Sequence, residues 1–222
     1  MEKLFLIDAY AQIFRAYYAF AGRPMRNREG LNTSPIFGFV KFLRDIIINE
    51  RPHYLGVAFD PKGGNFRNEL FSEYKANRSE TPEDIIAAVP YIKEVLQAMR
   101  IPILEVAGYE ADDVIGTLSH KAAAAGYDVY MVTPDKDFGQ LVTPNVRIYK
   151  QRKGGEGIEI VGPEQIKEHY GFDDPRKVVD ILALWGDAAD NIPGVKGVGE
   201  KGAIKLVNEI GTVEDSLDNL DR

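Results

Sequence analysis

The sequence predicts an α/β fold, a mainly parallel twisted sheet with helices on both faces, followed by a helical appendage. Three observations lead there. Short apolar runs recur along the first 133 residues, and they are continuous rather than alternating, the pattern of strands buried on both faces. Helix-length amphipathic segments separate them, which makes each connection a crossover and the neighbouring strands parallel. From about residue 163 onward no strand-like run remains, and the chain reads as helices broken by glycine.

The first strand is Leu4-Phe5-Leu6-Ile7, halting at Asp8, with a helix expected through Ala21. Thr33-Ser34-Pro35 opens the next helix, since proline suits a first helical turn. Ile36, Phe37, Val40, Phe42, Leu43 and Ile47 supply its apolar face. The second strand, Tyr54 to Phe59, halts at Asp60. Residues 61–80 carry little periodic apolarity and read as an excursion from the core. Thr81-Pro82-Glu83-Asp84 starts a helix with acid in its first turn, which the helix dipole favours; Pro90 is expected to kink or split it before Met99. Strand three is expected over Ile101 to Val106. A helix then runs to Ala125 and closes at Gly126. Strand four, Asp128 to Thr133, stops before Asp135. Val146 to Tyr149 and Ile158 to Val161 flank a Gly-Gly-Glu-Gly turn as a hairpin. The helical remainder breaks at Gly171, Asp187–Gly199 and Gly211.

The composition narrows the chemistry. A chain of 222 residues is enough for one domain, or one with a small appendage, and can bury a sizeable core. There is no cysteine, which excludes disulfides, thiolate metal sites and a cysteine nucleophile. His53, His120 and His169 are far apart in sequence, which disfavours a zinc site built on histidine. The N-terminus lacks the charged and apolar regions of a signal peptide, and no apolar run is long enough to span a bilayer, so the expected location is the cytoplasm.

The acids are the informative feature. Asp8, Asp60, Glu110 with Asp112 and Asp113, and Asp135 with Asp137 each follow a predicted strand. In an open α/β sheet the carboxyl ends of the strands share the edge where ligands bind. Asp187 and Asp190, spaced i, i+3, would share a face if they lie on a helix. A lone aspartate after a strand is ordinarily a turn or cap residue; acids after four strands ask for more. Two carboxylates about 4 Å apart repel by about 4 kcal/mol at an effective dielectric of about 20. Converged acids therefore point to a hard, oxygen-liganded cation, Mg²⁺ or Mn²⁺, and their number to two or more ions of the kind that catalyse phosphodiester hydrolysis. The net charge of −7 argues against a nucleic-acid partner until those nine acids are set aside, which leaves 25 acidic against 27 basic residues.

A second feature is the glycine-rich stretch from Asn191 to Lys201. Gly194, Gly197 and Gly199 allow close backbone approach, and Lys196, Lys201 and Lys205 add positive charge. It reads either as a grip on a DNA backbone phosphate or as a plain helix–turn–helix connection. The basic run Arg147, Lys150, Arg152 and Lys153 reads first as a solvated hairpin edge and second as a DNA contact.

Taken together these residues resemble the N-terminal 5′-nuclease (5′-3′ exonuclease) domain of bacterial DNA polymerase I, in the flap endonuclease superfamily. The resemblance rests on Leu-Ile-Asp8 with Phe14-Arg15, Ala-Phe-Asp60, Phe66-Arg67, and Tyr74-Lys75-Ala-Asn-Arg78. It continues through Gly108-Tyr-Glu-Ala-Asp-Asp113, Asp135-Lys-Asp137, Gly186-Asp187-Ala-Ala-Asp190-Asn191-Ile-Pro-Gly194 and Gly197-Val-Gly-Glu-Lys201. It spans nearly the whole chain. It implies a PIN-like 5′-nuclease catalytic domain over 1–162, with a helical arch over about 61–90, and a C-terminal helical DNA-binding region of H3TH type over 163–222.

The resemblance implies a structure-specific 5′-nuclease acting in replication and repair. Its substrates would be branched, nicked or flapped duplex DNA and RNA primers on DNA. Asp8, Asp60, Glu110, Asp112, Asp113, Asp135, Asp137, Asp187 and Asp190 become metal ligands. Lys75 and Arg78 become catalytic contacts to the scissile phosphate. Phe14, Arg15, Arg67, Tyr74, Gly194, Lys196, Gly197, Gly199 and Lys201 become DNA contacts, Phe14 either stacking on a base or packing in the core. Two or more Mg²⁺ are implied, with Mn²⁺ as substitute, and K⁺ at the glycine-rich turn. The family implies a monomer normally linked to a polymerase module, and a C-terminus beyond Arg222. Ala189 and Gly202 stand where serine and threonine are frequent in relatives; neither change removes a metal ligand, though the second removes a hydroxyl that could meet phosphate. Two other readings compete: a PIN-class single-stranded RNA endonuclease, and a branched-DNA binding module without activity.

Overall fold

The computed structural model describes residues 1–152 and 157–219. In chain order its elements are β1 (Lys3–Asp8), α1 (Ala9–Ala19), α2 (Ser34–Glu50), β2 (Tyr54–Ala58), α3 (Phe66–Leu70), α4 (Glu83–Ala98), β3 (Ile103–Leu104), α5 (Ala111–Ala124) and β4 (Asp128–Val132). There follow a 3₁₀ helix (Lys136–Leu141), β5 (Val146–Gln151), β6 (Ile158–Val161), α6 (Pro163–Tyr170), α7 (Val178–Trp185), β7 (Gly186–Asp187), β8 (Ile192–Pro193), α8 (Glu200–Glu209) and α9 (Val213–Asp218). The chain forms two compact units, Met1–Gly64 with Ser79–Thr133, and Asn65–Arg78 with Pro134–Arg222.

The first unit is built on four parallel strands in the order β3-β2-β1-β4. Phe5, Leu6 and Ile7 are buried in succession, as are Val57, Ala58 and Phe59. Consecutive burial means that both faces of the sheet are covered, as the continuous apolar runs required. Helix α5 packs on β1, β2 and β4, while α1, α2 and α4 pack on one another. Gly38 makes the α1–α2 approach possible, because a Cβ there would stand 2.6 Å from the Ala16 Cβ. Helix α4 runs unbroken through Pro90. Its buried residues Ile85, Ala88, Ile92 and Leu96 lie on both sides of the proline, so packing holds the helix across the lost hydrogen bond. Strand β3 is shorter than the expected 101–106. Pro102 has no N–H to give the ladder; its carbonyl and that of Leu104 accept from Val57 at 3.0 Å and Phe59 at 2.9 Å.

In the second unit β5 and β6 form the expected antiparallel hairpin; Lys153 and most of its Gly-Gly-Glu-Gly turn lie outside the described residues. Gly171 closes α6 in the left-handed conformation at φ 88°. Phe138, Ile166, Val178, Ile181, Ala203 and Val207 form the core, and α7 packs on α8. The segment 65–78 folds as the short helix α3, capped by the Asn65 side chain, followed by turns that bury Tyr74.

The expectation that Asp187 and Asp190 lie on a helix is corrected here. They lie on a small hairpin: Gly186 pairs with Pro193 and Asp187 with Ile192, and residues 188–191 form the turn. Glycine ends α7 at this point. Gly186 adopts φ 80°, and a Cβ on it would meet the Gly194 nitrogen at 2.3 Å; a Cβ on Gly194 would meet the Trp185 carbonyl oxygen at 2.1 Å. The Gly-Asp-x-x-Asp-Asn-Ile-Pro-Gly spacing is thus the signature of two strands crossing too closely for side chains.

Candidate metal and nucleic-acid site

In the first unit the chain order reverses between β1 and β4, and such a reversal opens a crevice beyond the strand ends. Asp8 stands there. It caps α1, its Oδ1 accepting the Ala11 N–H at 3.1 Å, while its Oδ2 accepts the Thr133 hydroxyl at 3.1 Å. Thr133 is fully buried. Asp60, just past β2, accepts the N–H of Ala111 at 2.7 Å. Glu110 caps α5 and is nearly buried, and its N–H donates to Asp113 Oδ2 at 3.0 Å. Asp112 and Asp113 fill the first turn of α5, where the helix dipole favours anions. Capping, the ordinary role of an acid after a strand, is therefore present. It does not exhaust these groups, because a carboxylate offers about four acceptor positions. Burial raises the Tyr10 pKa, and the charges of Asp60 and Glu105 add to that.

In the second unit Asp135 caps the 3₁₀ helix, accepting the Asp137 N–H at 2.9 Å. Burial pushes the Asp137 carboxyl above the ordinary aspartate range, the neighbouring charges of Asp135 and Asp187 push it further, and Lys136 opposes them. The Lys136 ammonium stands 3.3 Å from Asp137 Oδ1, 3.6 Å from Asp187 Oδ1 and 4.6 Å from the centre of the Trp185 ring.

Asp190 is engaged on three sides. Tyr74 donates its hydroxyl at 3.0 Å, Lys75 lies at 3.8 Å, and the Arg78 guanidinium donates to Oδ1. The backbone completes this clamp. Lys75 N–H donates to the Asp190 carbonyl at 2.9 Å, the Asn77 amide to that of Ala188 at 2.7 Å, and the Asn191 amide to that of Glu73 at 2.7 Å. Lys75 adopts φ 57°, a left-handed conformation that its side chain disfavours and the clamp maintains.

Among the described residues no three histidine, aspartate or glutamate side chains stand close enough to hold a metal ion as they are. The second unit shows a physical reason, since Lys136 lies between Asp137 and Asp187 while Lys75 and Arg78 neutralise Asp190. The donor chemistry fits a hard divalent cation: carboxylates at every position and no cysteine in the chain.

Phe14 is half-buried on α1, its ring between those of Tyr10 and Tyr18 at 6.4 and 6.3 Å. Burial lowers the pKa of the neighbouring Arg15. Arg67 covers the Phe66 ring at 4.6 Å. Tyr74 is buried, with its hydroxyl on Asp190. At the glycine-rich turn Gly194, Lys196, Gly197, Gly199 and Lys201 are all exposed; Gly197 adopts φ 87° and Gly199 caps α8. Lys150 pairs with Glu159 at 3.4 Å, in accord with a solvated hairpin edge. Two participants escaped the sequence reading. Lys136 was legible only as the middle of Asp-Lys-Asp. Thr133 could have been found from register, since pairing of Ile7 with Val132 sets the next residue of each strand, Asp8 and Thr133, side by side.

The chain belongs to the 5′-3′ exonuclease family. Residues 3–171 match the model of the 5′-3′ exonuclease N-terminal resolvase-like domain, and residues 173–222 that of the 5′-3′ exonuclease C-terminal SAM fold. The chain is 41% identical over 220 residues to DNA polymerase I of Bacillus caldotenax, covering 99% of this chain and 25% of that protein. It thus spans about a quarter of the length of the curated DNA polymerase I relatives. It is 37% identical over 222 residues to the 5′-3′ exonuclease of Aquifex aeolicus, covering all of this chain and 74% of that one. Its fold matches a bacteriophage T5 flap endonuclease solved with DNA and metal ions, with a TM-score of 0.77 at 23% identity over 99% of this chain and 79% of that one. Among the described residues no helix is long and apolar enough to cross a membrane.

Proposed function

We propose that this chain is a divalent-metal-dependent, structure-specific 5′-nuclease. It hydrolyses phosphodiesters near the 5′ end or flap junction of duplex DNA, and of RNA primers on DNA, in the replication and repair of the cytoplasmic chromosome. The observation that carries this is the placement of Asp8 as the last residue of β1, with Asp60 and the Glu110–Asp113 group following β2 and β3, in a chain of the 5′-3′ exonuclease family. Residues 1–162 form the catalytic part, with an arch over about 61–90, and residues 163–222 the helical DNA-binding part. Linkage to a polymerase module, as in the DNA polymerase I relatives, belongs to the same proposal.

Asp8, Asp60, Glu110, Asp112 and Asp113 of the first unit, and Asp135, Asp137, Asp187 and Asp190 of the second, hold two or more Mg²⁺, for which Mn²⁺ substitutes. Bound, such ions activate water and offset charge on the phosphate. The chain's own residues do the rest. Thr133 and the α1 amide fix both oxygens of Asp8, so its carboxylate needs no reorganisation. Lys75 and Arg78 stabilise charge on the scissile phosphate, exchanging the Asp190 carboxylate for a phosphate oxygen. Phe14, Arg15, Arg67 and Tyr74 meet the strand to be cut. The turn from Gly194 to Lys201 grips duplex backbone without reading bases, and its carbonyls hold K⁺.

Labelled 5′-flap DNA and labelled single-stranded RNA, incubated separately with Mg²⁺, test the reading. Cleavage of the flap near its junction is expected. Preference for the RNA would assign the chain to the PIN-class alternative, and flap binding without cleavage to a binding module.

A further inference from the structure

We propose that Lys136 is a positioning residue that keeps the place of a divalent cation between Asp137 and Asp187; this rests on reading those two acids as metal ligands. The two carboxylates come from different elements, the 3₁₀ helix and the β7–β8 hairpin. One ammonium bridges them, at 3.3 and 3.6 Å. Without a positive charge there, Asp137 and Asp187 would repel each other across a half-buried gap, with Asp135 adding its own field. Lys136 therefore holds the two elements in register before any metal arrives.

The same contacts make the lysine removable. Its side chain is 38% exposed, so burial does not lock it. Its flexible stem ends in a point charge, and the Trp185 face, 4.6 Å from that charge while it bridges the carboxylates, lines one side of its path without holding it by a hydrogen bond. A divalent cation entering between the acids must displace the ammonium or tolerate it nearby, and either outcome weakens metal binding. Lys136 thus competes with the metal while organising its ligands, and the competition is what a substitution exposes.

The test is Mn²⁺ binding to the full chain, followed by electron paramagnetic resonance, with thermal melting of the metal-free and Mn²⁺-saturated protein. Lys136→Met keeps the stem over Trp185 and removes the charge; Lys136→Arg keeps the charge. Expected is Mn²⁺ affinity raised in Lys136→Met, because a positive charge competing for the same carboxylates is gone, and close to wild type in Lys136→Arg. Metal-free Lys136→Met should melt below the wild type, with the deficit closing in saturating Mn²⁺, a pattern that a merely structural lysine would not produce. Should Lys136→Met fail to fold, Lys136→Gln is measured in the same way. Unchanged or weaker Mn²⁺ binding by the uncharged variant overturns the inference. Absence of Mn²⁺ binding by the wild type, or its persistence unchanged in Asp187→Asn, overturns the ligand reading beneath it as well.

Discussion

At the scale of single residues, the site is an arrangement of acids that already have structural work. Asp8 caps a helix and accepts the hydroxyl of a fully buried threonine. Thr133→Val removes that hydroxyl with almost no change of volume and takes one hydrogen bond from Asp8 Oδ2, while the Ala11 N–H still holds Oδ1. A 10–100-fold loss in metal affinity or flap cleavage is expected, read from rate against Mg²⁺ concentration. Asp135→Asn should abolish cleavage and leave flap binding in Ca²⁺ intact; cleavage at the wild-type rate would remove Asp135 from the ligand set. Lys75→Ala should lower kcat more than it raises KM for the flap, since its contact is assigned to the charged phosphate of the transition state. The candidate ligands were legible in the sequence because acids after buried strands are conspicuous. Their partners were not. Lys136 and Thr133 matter only through a side chain or register neighbour that no local pattern reveals.

At the scale of elements, the strands were legible because continuous apolarity leaves few alternatives. The exceptions have local causes. Pro102 trims β3, and the i, i+3 spacing of Asp187 and Asp190 fits a hairpin turn as well as a helix. The deciding residues are Gly186 and Gly194, whose crossing admits no Cβ. Gly186→Ala should cost about 1–3 kcal/mol in chemical denaturation and reduce cleavage by displacing Asp187 and Asp190. Gly38→Ala should cost a similar amount by separating α1 from α2.

Helix α9 carries a pH dependence. Hydrogen bonds from the Thr212 N–H and hydroxyl hold the Asp215 carboxyl below its ordinary value. A lowered carboxylate pKa stabilises the fold above the unfolded-state value of 3.8, and that contribution is lost as the pH falls through the lowered one. Protection of the α9 amides, with the exchange rate corrected for its intrinsic pH dependence, should therefore fall as the pH drops below 3.8. In Asp215→Asn that protection should already be low at neutral pH.

At the scale of the molecule, the net charge of −7 hides a division of labour. In the first unit acids end β1 and follow β2 and β3 in the chain; in the second they open the 3₁₀ helix and lie on the β7–β8 hairpin, while the turn before α8 presents exposed lysines. Binding to duplex DNA should weaken steeply with salt, and replacing Lys196 and Lys201 together by alanine should reduce the slope of log K against log salt by about 2. Cleavage rate at saturating DNA should change little, which separates grip from chemistry. The most direct measurement is anomalous scattering from crystals soaked in Mn²⁺. Peaks are expected on carboxylate oxygens of Asp8, Asp60 and the Glu110–Asp113 group in the first unit, and of Asp135, Asp137, Asp187 and Asp190 in the second. Ordered Mn²⁺ found only at other surface acids, with these carboxylates still held by their capping amides, Thr133 and Lys136, would contradict it.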